Sequence, residues 1–198
     1  MPLIKLNNRS IKDVTSLPFG VGNLIHIQSQ TASASSSVSF TLSSTYKEFQ
    51  FYFINVHNNT DANSFDFNFS TDNGSNYNVT KTSTVFLAYH VESGAFSGLG
   101  YRTDGDLAQS TAVQPLLSGS GMGSDSDQNL SGFLQVFNPS STTYVKHFIA
   151  TTSATSDSDL ILNTFIAGYA NTTSALTNIR FLPNSGNFDG TIAMFGVV

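Results

Sequence analysis

The chain has no cysteine and no tryptophan, and charged side chains make up only 11% of its 198 residues. Without cysteine there is no disulfide framework, no thiol nucleophile and no thiolate zinc site. The charged fraction is well below the roughly 25% usual for soluble proteins. Lys and Arg number 8 against 13 Asp and Glu, for a formal net charge of −5. So few scattered cations cannot build a general phosphate-binding surface, and no nucleic-acid partner is expected. No apolar run approaches the ~18 residues of a membrane-spanning helix, so no membrane insertion is expected. The opening residues MPLIKLNNRS lack the apolar core of a secretory signal peptide, and synthesis in a cytoplasm is expected.

What the chain does have is 17 Phe and 7 Tyr in a background rich in Ser, Thr and Asn. Each fully buried Phe contributes roughly 1.5–3 kcal/mol, enough for a sizeable core. Polar but uncharged surfaces of this kind suit carbohydrate-binding domains, viral structural proteins and adhesins. The run from Phe65 to Ser70 alternates Phe65, Phe67 and Phe69 with Asp66, Asn68 and Ser70. That is the period of a strand with one buried and one wet face.

Strands are expected near Leu24–Gln30, Val38–Leu42, Glu48–His57, Phe65–Ser70, Thr84–Val91 and Gln114–Leu117. More follow near Gly132–Asn138, Tyr144–Thr152, Leu160–Tyr169, Asn178–Leu182 and Thr191–Val197. Asn58-Asn59-Thr60-Asp61 and Asp72-Asn73-Gly74 suit hairpin turns. No segment carries a convincing 3.6-residue period. The pattern predicts an all-β, antiparallel β-sandwich, jelly-roll-like, formed by residues 21–198 as a single domain.

Several strands are apolar on both faces. Tyr52, Ile54 and Val56 oppose Phe49, Phe51 and Phe53; Phe195 and Val197 oppose Ile192 and Met194. Leu160, Leu162 and Ile166 likewise oppose Ile161, Phe165 and Ala167. An apolar outer face needs cover from a long loop of the same chain or from another subunit; Tyr52, Ile54, Val56, Phe195 and Val197 are the expected subunit interface of a homo-oligomer. Residues 1–20 read as a short N-terminal arm in which Leu3, Ile4, Leu6, Arg9 and Ile11 dock on a neighbouring protein. The Gly- and Ser-rich stretch Ser93–Asp127 reads as a long loop facing outward towards a partner.

The motifs carry little chemistry. Asp125-Ser126-Asp127-Gln128-Asn129 begins like a calcium loop, but Leu130 stands where the turn needs Gly. The acid pairs Asp104/Asp106 and Asp157/Asp159 lie in loop-like sequence. His26, His57, His90 and His147 show no metal-ligand spacing. No GxSxG elbow and no phosphate loop is present. Tyr77, Tyr89, Tyr101 and Tyr144 are the tyrosines that could stack on a sugar, although tyrosine is also an ordinary strand residue. No catalytic residue, metal or cofactor is expected.

The run SGFLQVFNPS from Ser131 to Ser140, then Tyr144-Val145-Lys146-His147-Phe148, resembles small virion proteins of tailed bacteriophages, especially marine and cyanobacterial phages. Ala167-Gly168-Tyr169-Ala170-Asn171 and the ending Gly190-Thr191-Ile192-Ala193-Met194-Phe195-Gly196-Val197 add to the likeness. The resemblance implies a β-sandwich in the tail apparatus or on the capsid, commonly a homotrimer. The expected function is non-enzymatic: a tail-fibre or knob component of the virion that takes part in host attachment. The alternative is capsid decoration, cementing the head; a more distant one is a carbohydrate-binding module. Expected partners are further copies of the chain, other virion proteins and a host surface glycan.

Overall fold

Twelve strands and no helix form among the residues the computed structural model describes, 24–197. Leu3, Ile4, Leu6, Arg9 and Ile11 of the expected arm lie outside the described residues. The strands are β1 (Ile25–Ser35), β2 (Val38–Thr41), β3 (Glu48–Asn58), β4 (Phe65–Ser70), β5 (Lys81–Val91) and β6 (Ser97–Tyr101). They continue as β7 (Gln114–Pro115), β8 (Leu130–Phe137), β9 (Lys146–Thr155), β10 (Leu160–Ala170), β11 (Asn178–Pro183) and β12 (Phe188–Val197).

The strands pair antiparallel in two sheets, ordered β1-β12-β3-β8-β9-β10-β5-β6 and β2-β11-β4-β7. The chain changes sheet at β1-β2, β2-β3, β3-β4, β4-β5, β6-β7, β7-β8, β10-β11 and β11-β12. Strands β1, β12, β3 and β8 in one sheet and β2, β11, β4 and β7 in the other make the double-layer jelly roll. Two further pairs, β5-β6 and β9-β10, both join the first sheet beyond β8 and widen it. The loops at Asn58–Asp61 and Asp72–Gly74 are therefore not hairpin turns, as their sequence suggests. Each carries the chain from one sheet to the other.

Between the sheets lies a phenylalanine core. The Phe181 ring centroid is 5.2 Å from Phe51 and 5.3 Å from Phe53, both nearly edge to face. That geometry suits the ring quadrupoles. Phe67 and Phe148 join the two sheets at 5.3 Å.

An eight-stranded sheet overhangs a four-stranded one. The inner faces of β9, β10 and β5 still need cover, and residues 102–129 supply it. Leu116 and Met122 are fully buried, and Leu117 is nearly so. The Leu116 amide donates to the Phe65 carbonyl (2.8 Å), and the Met122 amide to Asn63 (2.9 Å). The single outward-facing loop expected over Ser93–Asp127 instead holds strands β6 and β7: Ser93–Ser97 and Leu99–Tyr101 are exposed, whereas Gln114, Leu116, Leu117, Ser118 and Met122 are buried. Its glycines and serines hid the few apolar residues that fix it.

Val56 is also misplaced by simple alternation. It is fully buried, whereas Ile54 two residues earlier is 48% exposed. Asn55 has φ 50°, and the β3-β8 register slips between Phe53 and Val56. A β-bulge here turns the following residue inward. Opposite it, Gly190 has φ 127°, and a Cβ there would lie 2.7 Å from the Asn55 carbonyl oxygen.

The polar face of β4 is not wet either. Asp66, Asn68 and Ser70 are all buried, because flanking loops cross them. The Asn68 amide donates to the Tyr77 (2.8 Å) and Thr111 (3.1 Å) carbonyls. Its Oδ1 accepts from Lys81 Nζ (2.6 Å), which also donates to the Val79 carbonyl (2.9 Å). Burial pulls the Lys81 ammonium down to about 7 and pushes the Asp66 carboxyl up to about 6.

Two outcomes test this packing. Gly190→Ala is expected to lower stability by about 1–3 kcal/mol in denaturant titration, through strained backbone and overlap with Asn55. For Lys81, the unfolded chain holds its proton up to 10.5 while the folded chain releases it near 7. The unfolded state thus binds the extra proton, and stability rises with pH across that window. Lys81→Met is expected to flatten that rise in unfolding free energy.

Candidate functional site

The outer face of the eight-stranded sheet is the surface most in need of a partner. Its strands contain only two cations, Lys81 and Lys146, and both are buried. Lys146 Nζ donates to the Thr172 (2.9 Å) and Ser174 (2.6 Å) carbonyls. The strands' two carboxylates, Glu48 and Asp189, sit at opposite rims. Asp189 accepts from the Ala34 amide at 2.7 Å. The face between them carries no charge.

Register builds an aromatic row across this face. Tyr52 stands opposite Phe133, and Phe133 opposite Thr151. Beyond Thr151, Phe165 faces Phe86, and Phe86 faces Tyr101. Ile54, Phe86, Ile149 and Ile161 are each 44–48% exposed, and Leu99 reaches 72%. A shallow depression of about 500 Å³ lies among Leu24, Tyr52, Ile54, Phe133, Ala193 and Phe195.

The rings are packed to each other. Phe86 and Phe165 stack at 4.7 Å and 10°. Tyr52 meets Phe195 edge to face at 5.5 Å and 84°. Stacked side by side, Phe86 and Phe165 cover one ring face each, so the row is a poor platform for sugar rings. A chain of hydrogen bonds fixes its near end: Tyr52 donates to Gln50 (3.0 Å), and Gln50 donates to Glu48 (2.7 Å). Gln135 donates to the same Glu48 oxygen at 3.1 Å. The result is an aromatic row, fixed at its near end, that crosses a face without Lys, Arg, Asp or Glu at its centre and is flanked by Thr, Ser, Asn and His side chains, suited to burial against another protein.

Of the expected interface residues, Tyr52, Ile54 and Phe195 come together here. Val197 is half-buried in register with Glu48 at the rim. Val56 does not belong, because the Asn55 bulge places it in the core. Phe133, Phe86 and Ile149 belong and were not singled out from sequence. Their signal was present: Phe133 and Gln135 alternate with the buried Leu134 and Val136.

The sugar-stacking candidates scatter. Tyr77 lies beneath Arg180, 4.3 Å from its guanidinium carbon. The Tyr101 hydroxyl donates to Asp106, a bond that raises its pKa. Tyr144 is 71% exposed in the loop after β8, whereas Tyr89 lines a cleft at the far end of the sheet. Nor do the acids and histidines converge. Asp104 pairs with Arg102, while His57 Nε2 lies 3.1 Å from each of the Ser124 and Asp125 carbonyl oxygens. Among the described residues, no three His, Asp or Glu side chains cluster as metal ligands would.

No family model matches the chain, and no curated protein matches it. Among solved structures, one titled "Structure of infectious bursal disease virus Gt strain" is similar at 10% identity with a TM-score of 0.15. That alignment covers 100% of this chain and 47% of the other, so the chain spans about half of that protein's length. A likeness this slight carries no argument about function.

Proposed function

We propose that the chain is a non-enzymatic structural protein of a bacteriophage virion, a compact tail-fibre or knob component that takes part in host attachment. The observation that carries this reading is the exposed aromatic row on the outer face of the eight-stranded sheet, with no Lys, Arg, Asp or Glu at its centre. Eight strands about 4.8 Å apart give a face on the order of 1,000 Å². That matches the ~800 Å² which each partner contributes to a stable interface. With no charge at its centre, the face can lie against a different, equally uncharged surface of a neighbouring copy without repulsion, as a closed trimer requires. The virion setting rests on the resemblance of Ser131–Ser140 and the C-terminal strand to phage proteins. Homotrimeric assembly follows the same resemblance. Multivalent presentation then raises weak attachment by about 10²–10⁴ over a single site.

Ile149→Glu tests the assembly. Ile149 is 44% exposed, so the fold tolerates the change. Sedimentation is expected to show an oligomer for the natural chain and a weakening of roughly 100-fold for the variant. A natural chain that stays monomeric at high concentration contradicts the reading. Immunogold labelling of intact virions tests the setting: gold is expected on the tail. Gold over the head contradicts the attachment role and points to capsid decoration instead.

A further inference from the structure

Where the cover of the overhanging sheet stops, a cleft of about 400 Å³ remains at the β5-β6 end. That is within the ~300–1,000 Å³ range of small-ligand sites. Its floor is Leu87, Leu160 and Leu162, which belong to the core. Tyr89 and Phe96 form one wall, their centroids 6.3 Å apart at 64°. Phe96 is 54% exposed. Opposite them stand Arg102, Gly119, Ser120 and Ser158.

Two glycines keep the cleft open. Gly98 on edge strand β6 leaves room for Tyr89: a Cβ there would meet the Tyr89 hydroxyl at 2.6 Å. Gly119 has φ 100°, and a Cβ there would press to 2.8 Å on Leu87.

The polar wall is fixed and neutral. Arg102 grips Asp104 with two bonds, Nε to Oδ1 (3.1 Å) and Nη2 to Oδ2 (3.0 Å). Ser118 Oγ and the Gly119 amide donate to the same carboxylate at 2.9 and 3.0 Å. Asp104 is thereby fully used as an acceptor. Arg102 keeps three of its five N–H donors, and its charge is already balanced. Serine hydroxyls stand beside it. Fixed donors, hydroxyls, an exposed aromatic ring and no net charge suit a neutral polyhydroxylated ring better than an anion or an aliphatic chain.

We infer that this cleft binds a neutral sugar residue, with Phe96 packing on its C–H face and Arg102, Ser120 and Ser158 bonding its hydroxyls. The inference deepens the attachment reading, on which its biological role rests. The binding itself requires only the isolated, folded chain.

The test is methyl-resolved NMR of the full chain, titrated with methyl glycosides of glucose, galactose and mannose, and with N-acetylglucosamine. Glucuronate is the charged control. At least one neutral sugar is expected to shift the Leu87, Leu160 and Leu162 methyls saturably. The dissociation constant is expected on the order of 1–10 mM, as for a single sugar ring. Phe96→Ala, at an exposed position, is expected to weaken that binding about fivefold to tenfold. Ile149→Glu, which breaks assembly, should bind as the natural chain does, so failed assembly and a failed sugar site give different results. Absence of saturable shifts, tighter binding of glucuronate, or unchanged affinity in Phe96→Ala each overturns the inference.

Discussion

One mismatch governs this molecule: a sheet of eight strands packs on a sheet of four. A sandwich is stable when each apolar face is covered, and the small sheet reaches only part of the large one. The remaining inner face is closed by residues 102–129, an irregular segment whose Leu116, Leu117 and Met122 behave as core. Where that cover ends, the cleft beside Arg102 is left. The outer face exposes Ile54, Phe86, Leu99, Ile149 and Ile161, and residues 24–197 offer nothing to close it. The proposed assembly and the proposed sugar site thus arise from one geometric cause.

Charge follows the same logic. Burial of Lys81 and Lys146 costs solvation, so both are held by carbonyl and amide oxygens. Arg180 lies over Tyr77, and Arg102 is bound to Asp104. Four of the five lysines and arginines among residues 24–197 (Lys47 is the fifth) are therefore tied to internal partners. The broad sheet face is left uncharged, which favours association with an equally uncharged surface.

Much of the fold was legible in the sequence. Alternation placed every strand except β6, and the Phe65–Ser70 boundaries match. Strand β6, Ser97–Tyr101, escaped because its sequence SGLGY has two glycines and only one aliphatic side chain. Pairing with β5, not local preference, makes it a strand. The polar residues of β4 look solvent-facing by pattern, yet distant loops bury them. Tertiary cover of that kind leaves no mark in a six-residue window. Two-faced apolar strands revealed the outer surface, and Tyr52, Ile54 and Phe195 were found that way. Val56 was lost to the Asn55 bulge, which needs a backbone angle that no periodicity encodes. The cleft was illegible beyond Tyr89. It joins Phe96, Arg102, Ser120 and Ser158 across the width of the β5-β10 pair and its cover.

The most direct test of the account is amide hydrogen exchange across residues 102–129. If this segment is the missing part of the small sheet's cover, the amides of Leu116 and Met122 open only with the whole sandwich. Their protection then equals that of central β3 and β10 amides, since both donate into the core at Phe65 and Asn63. Exchange of these amides at free-loop rates, while β3 and β10 stay protected, contradicts the account. The overhanging sheet would then be stable without cover, and the mismatch would not be the constraint on which the molecule depends.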